Sequence, residues 1–273
     1  MQFRNEYPVG VPCWVDIASP DPQATARFYA DLFDWELDQR GDYLVGRRYD
    51  GDVAGIGRLV PGDSTATWNM YVRVADVADA ARNVPAAGGT VVSGPHDAPG
   101  IGRVVVCADR QGAQFRLFEP AGLTGAQRVN APGTWNFNEL NTNDAEAAAG
   151  FYGAMFGWRA HPLAYAGEEF QMWTRPGYGD FLETIDPGVK QRHREGGAPP
   201  DFSDAVAWLQ GLPAGAEPHW SVTFSVDDTE AVAERAERLG GSVLVPPFNA
   251  GVAIVAQLSD PAGGRFTASK FLG

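Results

Sequence analysis

Two carboxylates each stand two residues after an aromatic ring, in Trp14-Val15-Asp16 and in Phe137-Asn138-Glu139. Both triplets lie in runs rich in strand formers, where successive side chains alternate between faces. Asp16 therefore shares a face with Trp14, and Glu139 shares one with Phe137. A carboxyl group on an apolar wall has a raised pKa and could act as a general acid or base near neutrality. The competing reading is structural: Asp16 and Glu139 pair with Arg116, Lys270 or backbone donors and satisfy buried hydrogen bonds.

The other chemistry-bearing residues are sparse. His96 and His161 fall in loop-like stretches, His193 in a basic run, and His219 ahead of the first-strand position Ser221, so no two share metal-ligand spacing. Cys13 and Cys107 sit in strand-like runs and read as buried thiols rather than a disulfide framework. No glycine-rich phosphate loop follows a strand, and there is no Ser-His-Asp signature or paired-cysteine metal motif.

The elements that position these groups come from a duplication. Asp21, Phe28, Tyr29, Phe33 and Trp35 recur as Asp144, Phe151, Tyr152, Phe156 and Trp158, always 123 positions on (144 − 21 and 158 − 35). In each half a strand leads into a capped helix whose Phe-Tyr pair lies at core spacing. The first copy predicts a strand at 12–18, a helix after Ser19-Pro20-Asp21-Pro22, and strands at 35–39, 43–49 and 53–60. A second unit follows, with a strand at 68–74, an Ala-rich helix at 76–87, and strands near 90–93, 102–107 and 114–119. The second half repeats the order, with strands at 135–141 and 219–226, helices at 145–156 and 228–238, and short strands to about 185. Asn69 matches Ser221 at an offset of 152 (221 − 69), so the second half gained 29 residues (152 − 123), expected at about 186–217. That insertion holds Lys190-Gln191-Arg192-His193-Arg194 and a stretch at 202–209 that reads as a short amphipathic helix. Long insertions of this kind are often lids or binding loops. The domains expected are 1–122, a linker at 123–132, and 133–273 with the insertion.

Twenty-one Lys and Arg against 34 Asp and Glu give a net charge of −13, which argues against nucleic acid and against an anionic membrane face. No long apolar run could span a bilayer and no signal peptide is visible, so a cytoplasmic protein is expected. The duplication allows a self-sufficient monomer, with a homodimer as the alternative.

Four βαβββ units in two tandem pairs, the Ala26-Arg27-Phe28-Tyr29-Ala30-Asp31-Leu32-Phe33 segment, and the Asp-x-x-Gly turns at Asp109–Gly112 and Asp260–Gly263 resemble the vicinal oxygen chelate superfamily. This is the group of glyoxalase I, extradiol dioxygenases and bleomycin-resistance proteins, and the match is especially close to two-domain members labelled glyoxalase-like or hydroxylase. The resemblance implies an α+β fold of two tandem glyoxalase-like domains, with sheets curled around a cavity. It also implies metal ligands on first and last strands of a unit. Those positions here hold Trp14, Asn69, Phe137 and Ser221, and Arg116 and Thr267, none of them a usual divalent-metal ligand. No metal and no cofactor are therefore expected. If the first-strand positions face the cavity, Asn69, Tyr71, Arg116 and Phe118 line the first half, and Ser221, Thr223, Thr267 and Ser269 line the second.

Two main functions fit. One is metal-independent binding of an aromatic or polycyclic small molecule, including antibiotic sequestration as in the bleomycin-resistance branch. The other is a metal-free isomerase, cyclase or lyase-like enzyme of secondary metabolism using Asp16 or Glu139 as the acid or base. A metal-dependent glyoxalase or dioxygenase comes third. Fold alone does not choose among them.

Overall fold

Four aspartates start four helices. Asp21 accepts a hydrogen bond from the Ala24 amide (3.0 Å), Asp76 from Asp79 (2.7 Å), Asp144 from Ala147 (2.9 Å) and Asp228 from Ala231 (3.0 Å). Each supplies an acceptor to an orphan first-turn N–H and fixes the same strand-to-helix corner. The computed structural model describes residues 3–59, 65–98, 100–165, 168–213 and 215–272. The last position of the strand expected at 53–60, and residue 214 of the expected insertion, lie outside the described residues.

The first module is β1 (Pro12–Ser19), α1 (Pro22–Phe33), β2 (Glu36–Arg40), β3 (Tyr43–Arg48) and β4 (Gly51–Arg58). The second is β5 (Thr67–Arg73), α2 (Val77–Ala86), β6 (Thr90–Ala98), β7 (Gly102–Ala108) and β8 (Gln114–Pro120). The third comprises β9 (Trp135–Thr142), α3 (Ala145–Phe156), β10 (Arg159–Tyr165), β11 (Glu168–Thr174), α4 (Tyr178–Ile185), α5 (Val189–Glu195) and β12 (Ala205–Gly211). The fourth comprises β13 (His219–Ser225), α6 (Thr229–Arg238), β14 (Ser242–Asn249), β15 (Ala253–Ser259) and β16 (Arg265–Phe271). Modules one and two share an eight-stranded sheet in the order β2-β3-β4-β1-β5-β8-β7-β6. Modules three and four repeat it as β10-β11-β12-β9-β13-β16-β15-β14. The fold is α+β, with two tandem domains of one plan.

The insertion lies elsewhere than expected. It separates β11 from β12, inside the third module, and the Ala205-Val206-Ala207-Trp208-Leu209 run is strand rather than helix. A 3-10 turn at Phe202–Asp204 precedes it. Comparing offsets detects added residues but does not say on which side of a module's last strand they fall. A short apolar run also reads equally well as buried helix or buried strand. Pairing decided it: Trp208 stands beside Glu139 on β9, as Gly55 stands beside Asp16 on β1. The basic run forms α5, with Lys190 paired to Asp180 and Arg192 to Asp186.

The residues that make the repeat visible hold the halves together. Tyr29 Oη donates to Asp260 (3.1 Å) and accepts from Trp68 Nε1 (2.9 Å). Tyr152 Oη donates to Asp109 (3.2 Å) and accepts from Trp220 Nε1 (2.8 Å). Each half's helix thus reaches the Asp-x-x-Gly turn of the other. In those turns the second carboxylate oxygen collects two backbone amides, Gln111 and Ala113 in one and Ala262 and Gly264 in the other. Trp35 and Trp158 reciprocate too, donating to the Gly133 and Gly10 carbonyls at 2.7 Å. The Phe-Tyr pairs are core, as their spacing implied.

Asn138 breaks this economy most completely. Asn138 is fully buried, and neither polar atom of its side chain has a hydrogen-bond partner among the described residues. The equivalent position in the first half is the buried Val15. An unpaired buried amide is destabilising, so Asn138→Val is expected to gain about 1–2 kcal/mol. Urea denaturation of the variant checks this, and an unchanged or lower midpoint would rule it out.

Candidate ligand-binding site

One face of each sheet carries the sequence-predicted residues, and the two faces differ in content. In the first half Asp16 is buried, at 5% exposure. Its carboxylate accepts from Tyr71 Oη (2.7 Å), Asn69 Nδ2 (2.8 Å) and Tyr43 Oη (2.9 Å). Trp14 Nε1 donates to the same Tyr43 oxygen at 3.0 Å. Its partners are therefore not Arg116, Lys270 or the backbone. Tyr43 reaches Asp16 by lying across β4, where Gly55 leaves room: a Cβ there would sit 1.8 Å from Tyr43 Oη. Burial first, and then the Asp16 charge, holds both phenols well above their usual range, so they remain donors. Phe118 closes the face with its ring 5.9 Å from that of Tyr71, edge to face. Arg116 adjoins Tyr71 in register, and its buried Nη1 has no hydrogen-bond partner among the described residues.

In the second half the equivalent positions are occupied by smaller groups. Register places Ser221 beside Glu139 and Thr223 beside both Phe137 and Thr267, matching Asn69 beside Asp16 and Tyr71 beside both Trp14 and Arg116. Ser269 stands where the first half has Phe118. Asn, Tyr, Arg and Phe have become Ser, Thr, Thr and Ser. Phe137, Glu139, Ser221, Thr223 and Thr267 are all half-buried, and only Ser269 is buried. At these positions the second face carries smaller side chains than the first, whose carboxylate is covered by two phenols, an amide and a ring.

Glu139 differs from Asp16 in its surroundings. Burial pushes its carboxyl up to about 7, and among the described residues Asn141 pulls the other way. The Asn141 amide is itself committed to Ser221 Oγ at 2.9 Å. A carboxyl at that pKa exchanges its proton at neutral pH.

The insertion adds rings to this face, a role that sequence reasoning could assign only in general terms. Phe202 lies 6.3 Å from Phe137 and 6.3 Å from Trp208, ring centre to ring centre. Trp208 in turn meets Phe137 at 5.6 Å and Phe170 at 5.7 Å. Trp208, Phe170 and Phe202 were all missed as site residues. The signal for Phe202 lay in the position of the insertion, which depended on strand pairing. Tyr43 was missed likewise, because its hydroxyl reaches Asp16 only across β4.

The histidines stay apart. His161 on β10 bonds Thr174 Oγ1 (2.9 Å) and His96 lies on β6, so neither is in a loop. His219 is exposed and bonds the Glu217 carbonyl (2.9 Å). His193, on α5, bonds Ser203 Oγ (2.8 Å) and packs against Phe202. Burial pushes both thiols up, Cys107 to about 12, which keeps them protonated at neutral pH.

A glyoxalase-like domain model matches residues 14–118 and again 138–269. The chain belongs to the glyoxalase-like domain family. It is 30% identical to the anthracycline biosynthesis protein DauV of Streptomyces sp. (strain C5), over 94% of this chain and 92% of that one. It is also 30% identical to CFP32 of Mycobacterium tuberculosis (strain CDC 1551 / Oshkosh), described as a candidate glyoxylase, over 99% and 98% of the two chains. Among solved structures it resembles the Mn(II)-bound glyoxalase from Novosphingobium aromaticivorans, with a TM-score of 0.62, 17% identity, and coverage of 97% of this chain and 83% of that one. Extradiol dioxygenases of the vicinal oxygen chelate superfamily share the fold. Glyoxalase-like sheets elsewhere hold a metal, but the residues of this chain do not fit one. The first face offers one carboxylate already met by three donors, with an arginine beside it. The second offers one carboxylate among hydroxyls and rings. Among the described residues no three His, Cys, Asp or Glu cluster as ligands. No helix there is long and apolar enough to cross a membrane.

Proposed function

We propose that this protein binds an aromatic or polycyclic small molecule in the recess of its second domain, without a metal ion. The observation that carries this reading is the replacement of Asn69, Tyr71, Arg116 and Phe118 by Ser221, Thr223, Thr267 and Ser269. It takes away the phenol, amide, guanidinium and ring that stand around the carboxylate in the first domain. Aromatic walls on one side and a row of hydroxyls on the other suit a flat ring system with polar edges. The relationship to a protein named for anthracycline biosynthesis supports a ligand of natural-product type, and sequestration of such a compound is within this reading.

A second reading is favoured by Glu139 alone. A carboxyl with a pKa near 7 and no cation beside it among the described residues is suited to moving a proton on a bound substrate, as in an isomerase, cyclase or lyase. Glu139→Gln separates the two readings. A binder keeps most of its affinity for an aromatic ligand retained from cell extract, measured by calorimetry. An enzyme converts that ligand, and the variant loses turnover by at least 100-fold. If Ser269→Phe leaves binding of the retained compound intact, the recess is not the site and both readings fall.

A further inference from the structure

The first domain is a filled version of the second, and what fills it has a definite chemistry. At Asp16 the chain itself supplies a phenol: Tyr71 Oη donates at 2.7 Å, and the Phe118 ring packs edge-on against the Tyr71 ring. At the corresponding place in the second domain the carboxylate remains, as Glu139. Thr223 has removed the phenol and Ser269 the second ring. Ser221 has also removed the amide donor that Asn69 provides. The first domain's other phenol, that of Tyr43, has no such gap in the second, because Trp208 stands where Gly55 made room for it. Relative to Asp16, Glu139 therefore lacks one hydroxylated ring, an adjoining ring, an amide donor and the neighbouring guanidinium of Arg116; of these, the two rings and the O–H are the groups a planar ligand could restore.

We infer that the ligand of the second domain is a hydroxyaromatic of two or more rings whose phenol O–H donates to the Glu139 carboxylate, taking the part that Tyr71 plays toward Asp16. This rests on the recess being the binding site, and it specifies which group of the ligand the carboxylate reads. Phenol oxygen donating to carboxylate is a strong, directional contact in a half-dry site. A ligand bearing a carboxylate or phosphate at that position would face Glu139 with like charge and no compensating cation. The hydroxyl row of Ser221, Thr223 and Thr267 can serve further oxygens on the ring system, as donors or as acceptors.

The test uses the full chain with 2-naphthol, naphthalene and 1-naphthoate as probes, with affinities measured by fluorescence titration. The wild-type protein is expected to bind 2-naphthol at least tenfold more tightly than naphthalene, and 1-naphthoate more weakly than either. Glu139→Leu removes the acceptor and is expected to reduce the 2-naphthol preference to less than twofold. Ser269→Phe or Thr223→Tyr, rebuilding the first domain's filler, is expected to weaken 2-naphthol at least tenfold; circular dichroism identifies which of the two folds. Equal affinity for 2-naphthol and naphthalene, with both weakened by the filling variants, overturns the phenol assignment while leaving the aromatic recess standing. Binding that ignores the filling variants, or no binding by any of the three probes, overturns the recess itself.

Discussion

Glu139→Gln is expected to stabilise the protein by roughly 2–3 kcal/mol above pH 8 and to change little at pH 4. The Glu139 carboxyl titrates near 7 in the folded chain against 4.5 for a free glutamate. The folded state therefore holds its proton more tightly than the unfolded state. Stability from that proton is complete below about pH 4.5 and is lost as the pH rises through 7, because charge must then form where burial disfavours it. Glutamine resembles the protonated acid in size and neutrality, so it removes the loss without opening a cavity. Thermal melts from pH 4 to 9 test this, with the two curves diverging between pH 4.5 and 7. A constant gap across that range would mean that burial of charge is not the cause. A residue that costs stability at working pH, with the Asn141 amide as its opposing contact among the described residues, is a mark of function, since sites trade stability for reactivity.

Asp16→Ala is expected to have the opposite effect, a loss of about 3–5 kcal/mol. Removing this acceptor leaves the Tyr43 and Tyr71 hydroxyls and the Asn69 amide without their shared partner in a closed face. Asp16→Asn should cost less, because the amide oxygen still accepts while its NH2 meets donors. Urea denaturation measures both, and an Asp16–Tyr71 double-mutant cycle isolates the coupling. A cost below about 1 kcal/mol for Asp16→Ala would show that the network is not structural. The case for Asp16 as an acid or base would then reopen, with Asp16→Asn expected to lose turnover while keeping the fold.

The two carboxylates look alike in sequence, each two residues after an aromatic on a first strand, yet they stand in different environments. The residues that separate them were visible as a list: Asn69, Tyr71, Arg116 and Phe118 against Ser221, Thr223, Thr267 and Ser269. Their volumes differ, but what stands on each face also depends on Tyr43, Trp208 and Phe202, which other elements bring in. Two facts stayed hidden. Tyr43 reaches Asp16 only because Gly55, on the neighbouring strand, has no side chain to block it. Phe202 reaches Phe137 only because the insertion precedes β12 instead of following it.

The sequence by itself determined the duplication, the four βαβββ modules, the places where their helices begin, and the face on which each candidate side chain lies. These are local properties, set by periodicities of two and 3.6 and by capping within a few residues. Only the tertiary structure decided that Tyr29 bonds Asp260 and Tyr152 bonds Asp109 across the two halves, where the extra segment enters, and which face is filled. Those outcomes depend on strand pairing and domain packing between residues far apart in the chain. A periodicity cannot report such a contact, because the same pattern is compatible with several pairing orders.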